Sequence, residues 1–223
     1  MSGQSIPVIL NLLAGLDTFI PGEKLKTTGK YAPPADVGPL LSAHERYLKD
    51  ERGLDPDEMV RVWGLGGIGI SAEYQWRLFT TVTLHNRPVS WSTRAIGKVA
   101  SGKYLHAKPH MESVPINDTI FGMDYVKHAV IIVEGWMDVM AIGPGAGAIY
   151  GLKTSTAQLL SFSKVPVRYI ALDAQSFAKR RAEELAANLS LFPGRTELVT
   201  LETGKDPAEC SESERKELRK LLE

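Results

Sequence analysis

The sequence predicts two parts in one chain, an α+β N-terminal subdomain followed by an α/β domain whose central, mostly parallel sheet is flanked by helices. Three observations carry this. From about residue 127, unbroken apolar runs such as His128–Val133 and Val167–Leu172 alternate with helical stretches, the grammar of buried parallel strands joined by crossover helices. Ahead of them, Arg77–Leu84 and Val89–Ile96 are β-rich and separated by the turn-forming His85-Asn86-Arg87-Pro88, which predicts an antiparallel pair. A chain of 223 residues with 43% hydrophobic and 23% charged residues can also bury a proper core.

Taken in order, residues 1–35 form an N-terminal arm and connector. MSGQSIPVILNLLAGL has no Lys or Arg ahead of its apolar part, so it reads as an amphipathic or packing segment and not as a signal peptide. Residues 17–35 hold Pro21, Gly22, Gly29, Pro33 and Pro34 with little periodicity. The α+β subdomain spans 36–126. In Val37–Asp50, Leu40, Leu41, His44, Tyr47 and Leu48 share a helical face. Asp55-Pro56-Asp57-Glu58 is a helix start, with an N-cap acid and proline at the first helical position, and that helix ends near Trp63. Gly64–Gly69 lacks the Gly-Lys-Ser/Thr of a phosphate loop, so its glycines are read as turn residues. Lys103–His106 is a short edge strand, and 107–120 a Pro-punctuated loop in which His106 and His110 are surface residues. The α/β domain spans 127–223. After Glu134-Gly135 a helix runs to Ile142, then come a strand at Ala146–Tyr150, a helix at Thr154–Phe162, and the strand Val167–Leu172 ending in Asp173. A long helix at Gln175–Leu191, a strand at Arg195–Leu201 and a Ser-capped charged helix at Ser211–Leu222 complete it. Lys179-Arg180-Arg181, followed by Glu183 and Glu184, reads as a solvated helix face.

Composition narrows the function classes. Twenty-six basic and 26 acidic residues cancel, so any nucleic-acid contact must come from a local basic patch. One cysteine, Cys210, excludes an internal disulfide and a Cys-based zinc ribbon, so no zinc is expected, and a reducing cytoplasm fits. No apolar run approaches the ~18 residues of a membrane span, so no membrane partner is expected.

Open α/β sheets gather functional groups beyond the carboxyl ends of their strands. Glu134, Asp173 and Asp206 lie there, and Asp138, four residues past Glu134, shares its helical face. Carboxylates brought together repel unless a hard divalent cation neutralises them, which points to Mg²⁺ or Mn²⁺. A lone acid at a strand end is otherwise a helix cap or a solvated loop residue.

The runs VIIVEGWMDVMAI, YGLKTSTAQLL, YIALDAQSFAKRRAEELA and ETGKDPAE together resemble the TOPRIM domain of DnaG-type primases, with its EGxxD, Gly-Thr-Ser, DxD and DPD motifs in order. Upstream, YLKDERGLDPDEMVRVWGLGG, RLFTTVTLHNRPVSWSTRAIG, GKYLH and IFGMDYV are similar to segments of the same family, so the likeness covers roughly residues 44–210 and is nearest its compact bacteriophage form. The resemblance implies an α/β TOPRIM domain over 127–223 and metal-dependent synthesis of short RNA primers on single-stranded DNA. It implies Glu134, Asp138, Asp173 and Asp206 as catalytic residues and Glu134, Asp173 and Asp206 as ligands of Mg²⁺ or Mn²⁺. Arg94, Lys103 and Arg77 would hold nucleotide and nucleic-acid phosphates. Implied partners are a single-stranded DNA template and nucleoside triphosphates, with a replicative helicase and a separate zinc-binding chain supplying what this chain lacks. For a phage-encoded chain the compartment is the bacterial host cytoplasm. Two departures cut against full activity: Gln175 and Ala208 stand where the family has acids, removing two negative charges. Glu202 and Glu209 are open candidates to compensate. A non-catalytic nucleic-acid-binding or replisome-assembly protein, and a TOPRIM-type metal-dependent nuclease, are the alternatives.

Overall fold

The computed structural model describes residues 29–97, 102–150, 154–172, 176–202 and 206–223. Most of the N-terminal arm, Gly151–Lys153 of the glycine-containing segment, and the Asp173-Ala174-Gln175 motif lie outside the described residues.

The first helix, α1 (Ser42–Arg46), winds on through a π-helical turn at Tyr47–Glu51. It begins later than its apolar spacing suggested. Its N-terminus is closed by His44, whose Nδ1 accepts the Leu41 N–H at 3.0 Å. Helix α2 (Pro56–Trp63) starts where predicted, with the Asp55 carboxylate accepting from Asp57 N–H and Gly64 closing it in the left-handed region.

Four antiparallel strands follow, in the order β1 (Gly66–Ile68), β2 (Arg77–Leu84), β3 (Arg87–Ala95) and β4 (Tyr104–His106). The β2–β3 hairpin turns on two residues, His85 and Asn86, both at positive φ (53° and 59°), the type I′ geometry that matches strand twist. Gly66 and Gly67 were expected in a turn and instead form the edge strand β1. A Cβ on Gly67 would lie 2.5 Å from the His44 ring, so close helix–strand packing needs a glycine there. The Pro-punctuated segment to residue 126 carries short 3-10 turns at Pro109–Met111, Ile116–Asp118 and Met123–Tyr125.

The second sheet is wholly parallel, in the order β6-β5-β7-β8, from β5 (Ala129–Val133), β6 (Ala146–Ala148), β7 (Val167–Ile170) and β8 (Arg195–Leu198). Helices α3 (Trp136–Ile142), α4 (Thr156–Ser163) and α5 (Ser176–Leu189) join these strands, and α6 (Glu212–Lys220) closes the chain. Strand β5 is buried throughout, which is why its sequence shows no alternation. The connection after β6 crosses β5 to reach β7, so the order reverses between β5 and β7, and their carboxyl ends lead to Glu134 and to residue 173.

The two sheets share one core. Tyr47, Leu48 and Leu78 from the front half pack in the same apolar cluster as Ile131, Trp136 and Met140 from the back half. Two polar ties reinforce the join, Trp136 Nε1 donating to Ser92 Oγ at 3.0 Å and buried Gln158 donating to the Thr119 and Ile149 carbonyls. No helix among the described residues is long and apolar enough to cross a membrane.

Candidate functional site

A cleft of about 390 Å³ opens between the halves, with Arg52, Arg94 and Lys103 on one wall and Glu134, Asp138 and Asp206 on the other. Five of the expected site residues therefore meet in one place. Asp173 lies outside the described residues.

The basic wall is tied together by phenols. Tyr47 Oη accepts from Arg52 Nε at 2.8 Å and from Arg94 Nε at 2.7 Å. Arg94 Nη1 donates to Tyr104 Oη, and the Arg94 guanidinium lies 5.1 Å from the Tyr104 ring centroid. Burial raises the Tyr104 phenol to about 12, so it stays neutral beside the arginine. Lys103 sits 5.9 Å from the same ring, and desolvation followed by the Arg94 and Arg52 charges lowers its pKa. Three cations held this closely favour an incoming anion, and the forked geometry of the arginines suits phosphate oxygens.

Arg77 does not join them, which corrects the expectation that it holds phosphate. It sits fully buried at the start of β2 and donates to the Gly102 carbonyl at 2.6 Å and the Lys103 carbonyl at 3.3 Å. It anchors the loop that carries Lys103.

The acidic wall is engaged differently at each residue. Asp138, on the first turn of α3, is buried; Oδ2 accepts the Gly135 N–H at 2.9 Å and Oδ1 the Ala208 N–H at 3.1 Å. It caps its own helix and pins the 206–210 segment against it. Glu134 Oε1 lies 3.4 Å from Arg181 Nη1 of α5, whose side chain is only 11% exposed. Arg181 thus faces the cleft acid, in place of the solvated face its sequence suggested. Among the described residues Asp206 Oδ1 is buried without a hydrogen-bond partner, and burial followed by the nearby Glu209 charge raises its pKa. Glu209 pairs with Arg52 at 3.0 Å, and that bond lowers the Glu209 pKa; Glu202 is exposed. The compensation left open for Glu209 therefore goes to a cation of the basic wall.

Sequence reasoning missed Arg52, Tyr47 and Tyr150. All three carried a signal, since Tyr47 and Arg52 stand in the YLKDERGL run and Tyr150 opens YGLKTSTAQLL. His106 is exposed, as expected of a surface residue, and it also lines the cleft at the end of β4, its Nδ1 3.0 Å from Ser92 Oγ and its ring nearly parallel to Tyr104.

No family model matches this sequence, and no curated protein does. Solved structures do. The chain superposes on the Aquifex aeolicus primase (zinc-binding and RNA polymerase domains) with a TM-score of 0.69 and 19% identity, over 82% of this chain and 55% of that one. On the DnaG primase catalytic domain bound to single-stranded DNA the TM-score is 0.69 and identity 17%, over 96% of this chain and 78% of the other. The fold is that of a DnaG-type primase catalytic core. The primase fragment of the bacteriophage T7 primase-helicase matches with a TM-score of 0.59 and 14% identity, over 87% of this chain and 81% of that one. The likeness therefore does not single out a compact phage form. The chain spans about half of the Aquifex chain, which comprises zinc-binding and RNA polymerase domains.

The cleft bears on metal binding through Asp206. A buried carboxylate oxygen with no donor is what a hard cation would satisfy, and carboxylates are the ligands Mg²⁺ and Mn²⁺ prefer. Among the described residues no three candidate ligands converge.

Proposed function

We propose that this DnaG-type core is a nucleotidyltransferase that builds short RNA primers on single-stranded DNA from nucleoside triphosphates. The observation that supports this best is the cleft in which Arg52, Arg94 and Lys103 confront Glu134 and Asp206 at the carboxyl end of β5, beside the point where strand order reverses. Arg94 and Lys103 bind the triphosphate, with Arg52 held behind them through Tyr47. The primer 3′-hydroxyl then attacks the α-phosphate and pyrophosphate leaves. Asp206 and Asp173, with Glu134, would hold Mg²⁺ or Mn²⁺, which when bound supplies charge neutralisation on the transferred group and the leaving pyrophosphate. Asp138 acts through the backbone, keeping the Asp206 segment in place. Arg77, by anchoring the loop, keeps Lys103 at the cleft. Single-stranded template binds along the basic wall in a salt-dependent manner. A replicative helicase and a separate zinc-binding chain are the partners this reading calls for, and the cytoplasm, of a bacterial host if the chain is phage-encoded, is its compartment.

One observation favours a reduced, non-catalytic version. Both Asp138 oxygens are occupied by main-chain donors, and Ala208 offers only its N–H where the family pattern has an acid. A single assay decides. The protein is incubated with single-stranded DNA, labelled nucleoside triphosphates and Mg²⁺ or Mn²⁺, with and without a helicase. Short RNA products that disappear in Glu134→Gln and Asp206→Asn are expected. DNA shortening identifies a nuclease instead, and template binding with no product under any condition identifies the non-catalytic protein.

A further inference from the structure

Tyr150 is where the cleft holds something the phosphate chemistry does not use. It follows β6, is 6% exposed, and its hydroxyl is buried without a hydrogen-bond partner among the described residues. Its backbone also sits at φ +31°, a region bulky residues rarely occupy. A buried hydroxyl left unpaired costs free energy, and a phenylalanine would fill the same space without that cost. Packing therefore does not explain why the residue is tyrosine.

The surroundings indicate what the hydroxyl is for. Tyr150 lines the same cleft as Arg94 and Lys103, and the His106 ring lies edge-on to it with centroids 5.6 Å apart. Tyr104 and His106, two residues apart on β4, present near-parallel rings at an interplanar angle of 9°. The cleft thus offers two chemistries side by side, three cations and, next to them around Tyr104, three rings with an unused donor. A ligand that matches both carries phosphates on one side and a flat, hydrogen-bonding group on the other.

Resting on the nucleotide reading above and extending it, we infer that Tyr150 is a nucleoside-binding residue, its hydroxyl donating to a ribose or base acceptor while the phosphates lie against Arg94 and Lys103. The energetic signature is specific: the hydroxyl destabilises the free protein and is satisfied only when nucleoside is bound.

The test is calorimetric titration of the full chain and its Tyr150→Phe variant, with Mg²⁺ present, using inorganic tripolyphosphate, the four ribonucleoside triphosphates and their 2′-deoxy counterparts. The wild type is expected to bind nucleoside triphosphates at least tenfold more tightly than tripolyphosphate. Tyr150→Phe should weaken nucleotide binding about five- to tenfold, leave tripolyphosphate unchanged, and raise the thermal midpoint of the free protein. A loss confined to ribonucleotides puts the phenol on the 2′-hydroxyl, and a loss shared with deoxynucleotides puts it elsewhere on the nucleoside. Unchanged nucleotide affinity in the variant, an equal loss for tripolyphosphate, or a lowered midpoint overturns the inference and leaves the primase reading standing. If the wild type binds neither nucleotide nor tripolyphosphate, both fall together.

Discussion

The two walls of the cleft are built on opposite plans. On the basic wall each arginine has a defined partner: Tyr47 bridges Arg52 and Arg94, Tyr104 takes Arg94, and Glu209 takes Arg52. On the acidic wall the carboxylates do three different things. Asp138 is committed to main-chain donors, Glu134 to Arg181, and Asp206 has an oxygen with no donor among the described residues. The contrast teaches that the basic wall is preorganised without any ligand, whereas the acidic wall leaves few unpaired oxygens among the described residues. Preorganised donors cost no rearrangement when charge arrives. A site with fewer charged ligands binds its cation less tightly.

The largest effect that would sharpen this contrast lies at Asp138. Asp138→Ala removes two charge-assisted hydrogen bonds and strands the Gly135 and Ala208 N–H groups, so a loss of about 3 kcal/mol is expected in urea unfolding. A loss below ~1 kcal/mol would break the view that this acid is structural.

Next comes Tyr47→Phe, which takes the shared acceptor from two arginines. A destabilisation of about 1–2 kcal/mol is expected, with weaker tripolyphosphate binding. If anion affinity holds while stability falls, the phenol only supports the fold.

Smaller effects of opposite sign come from two acids three residues apart. Burial raises the Asp206 pKa in the folded protein, so its ionisation opposes folding, and the stability it contributes below the unfolded value near 3.9 is lost as pH rises through the folded value. Asp206→Asn should therefore raise the unfolding midpoint at neutral pH and change little in strong acid. The Arg52 hydrogen bond lowers the Glu209 pKa, so Glu209 contributes stability above the unfolded value near 4.3, which disappears as pH falls through the folded value. Glu209→Gln should cost about 0.5 kcal/mol at neutral pH, because the pair is partly solvated, and nothing in strong acid. Paired pH–stability curves check both, and curves of the same sign would remove the distinction between a lone acid and a paired one.

Much of this arrangement was legible in one dimension. The apolar run that became β5, the Asp55-Pro56 helix start, the His85-Asn86 turn and the Ser211 cap of α6 are local features whose physics acts within a few residues. Arg94, Lys103, Glu134, Asp138 and Asp206 could be nominated because acids at strand ends, and the family-like runs around them, mark positions along the chain. Local pattern could not say which charges would be free. Arg77 and Arg94 look alike in sequence, yet one is buried and tied to the Gly102 and Lys103 carbonyls and the other lines the cleft. Arg181 looked solvated because its neighbours are charged, and only the packing of α5 turns it toward Glu134.

The sequence by itself determined most of the elements, their order, the parallel and antiparallel character of the two sheets, and most of the residues that could carry charge chemistry, because periodicity, caps and turns are short-range. Tertiary structure alone decided how the polar groups are partnered: Asp138 to the backbone of residue 208, Glu209 to Arg52, and the Tyr150 hydroxyl to none of the described residues. Those choices depend on approach between segments tens of residues apart, and electrostatic pairing and desolvation follow distance in space, not position along the chain.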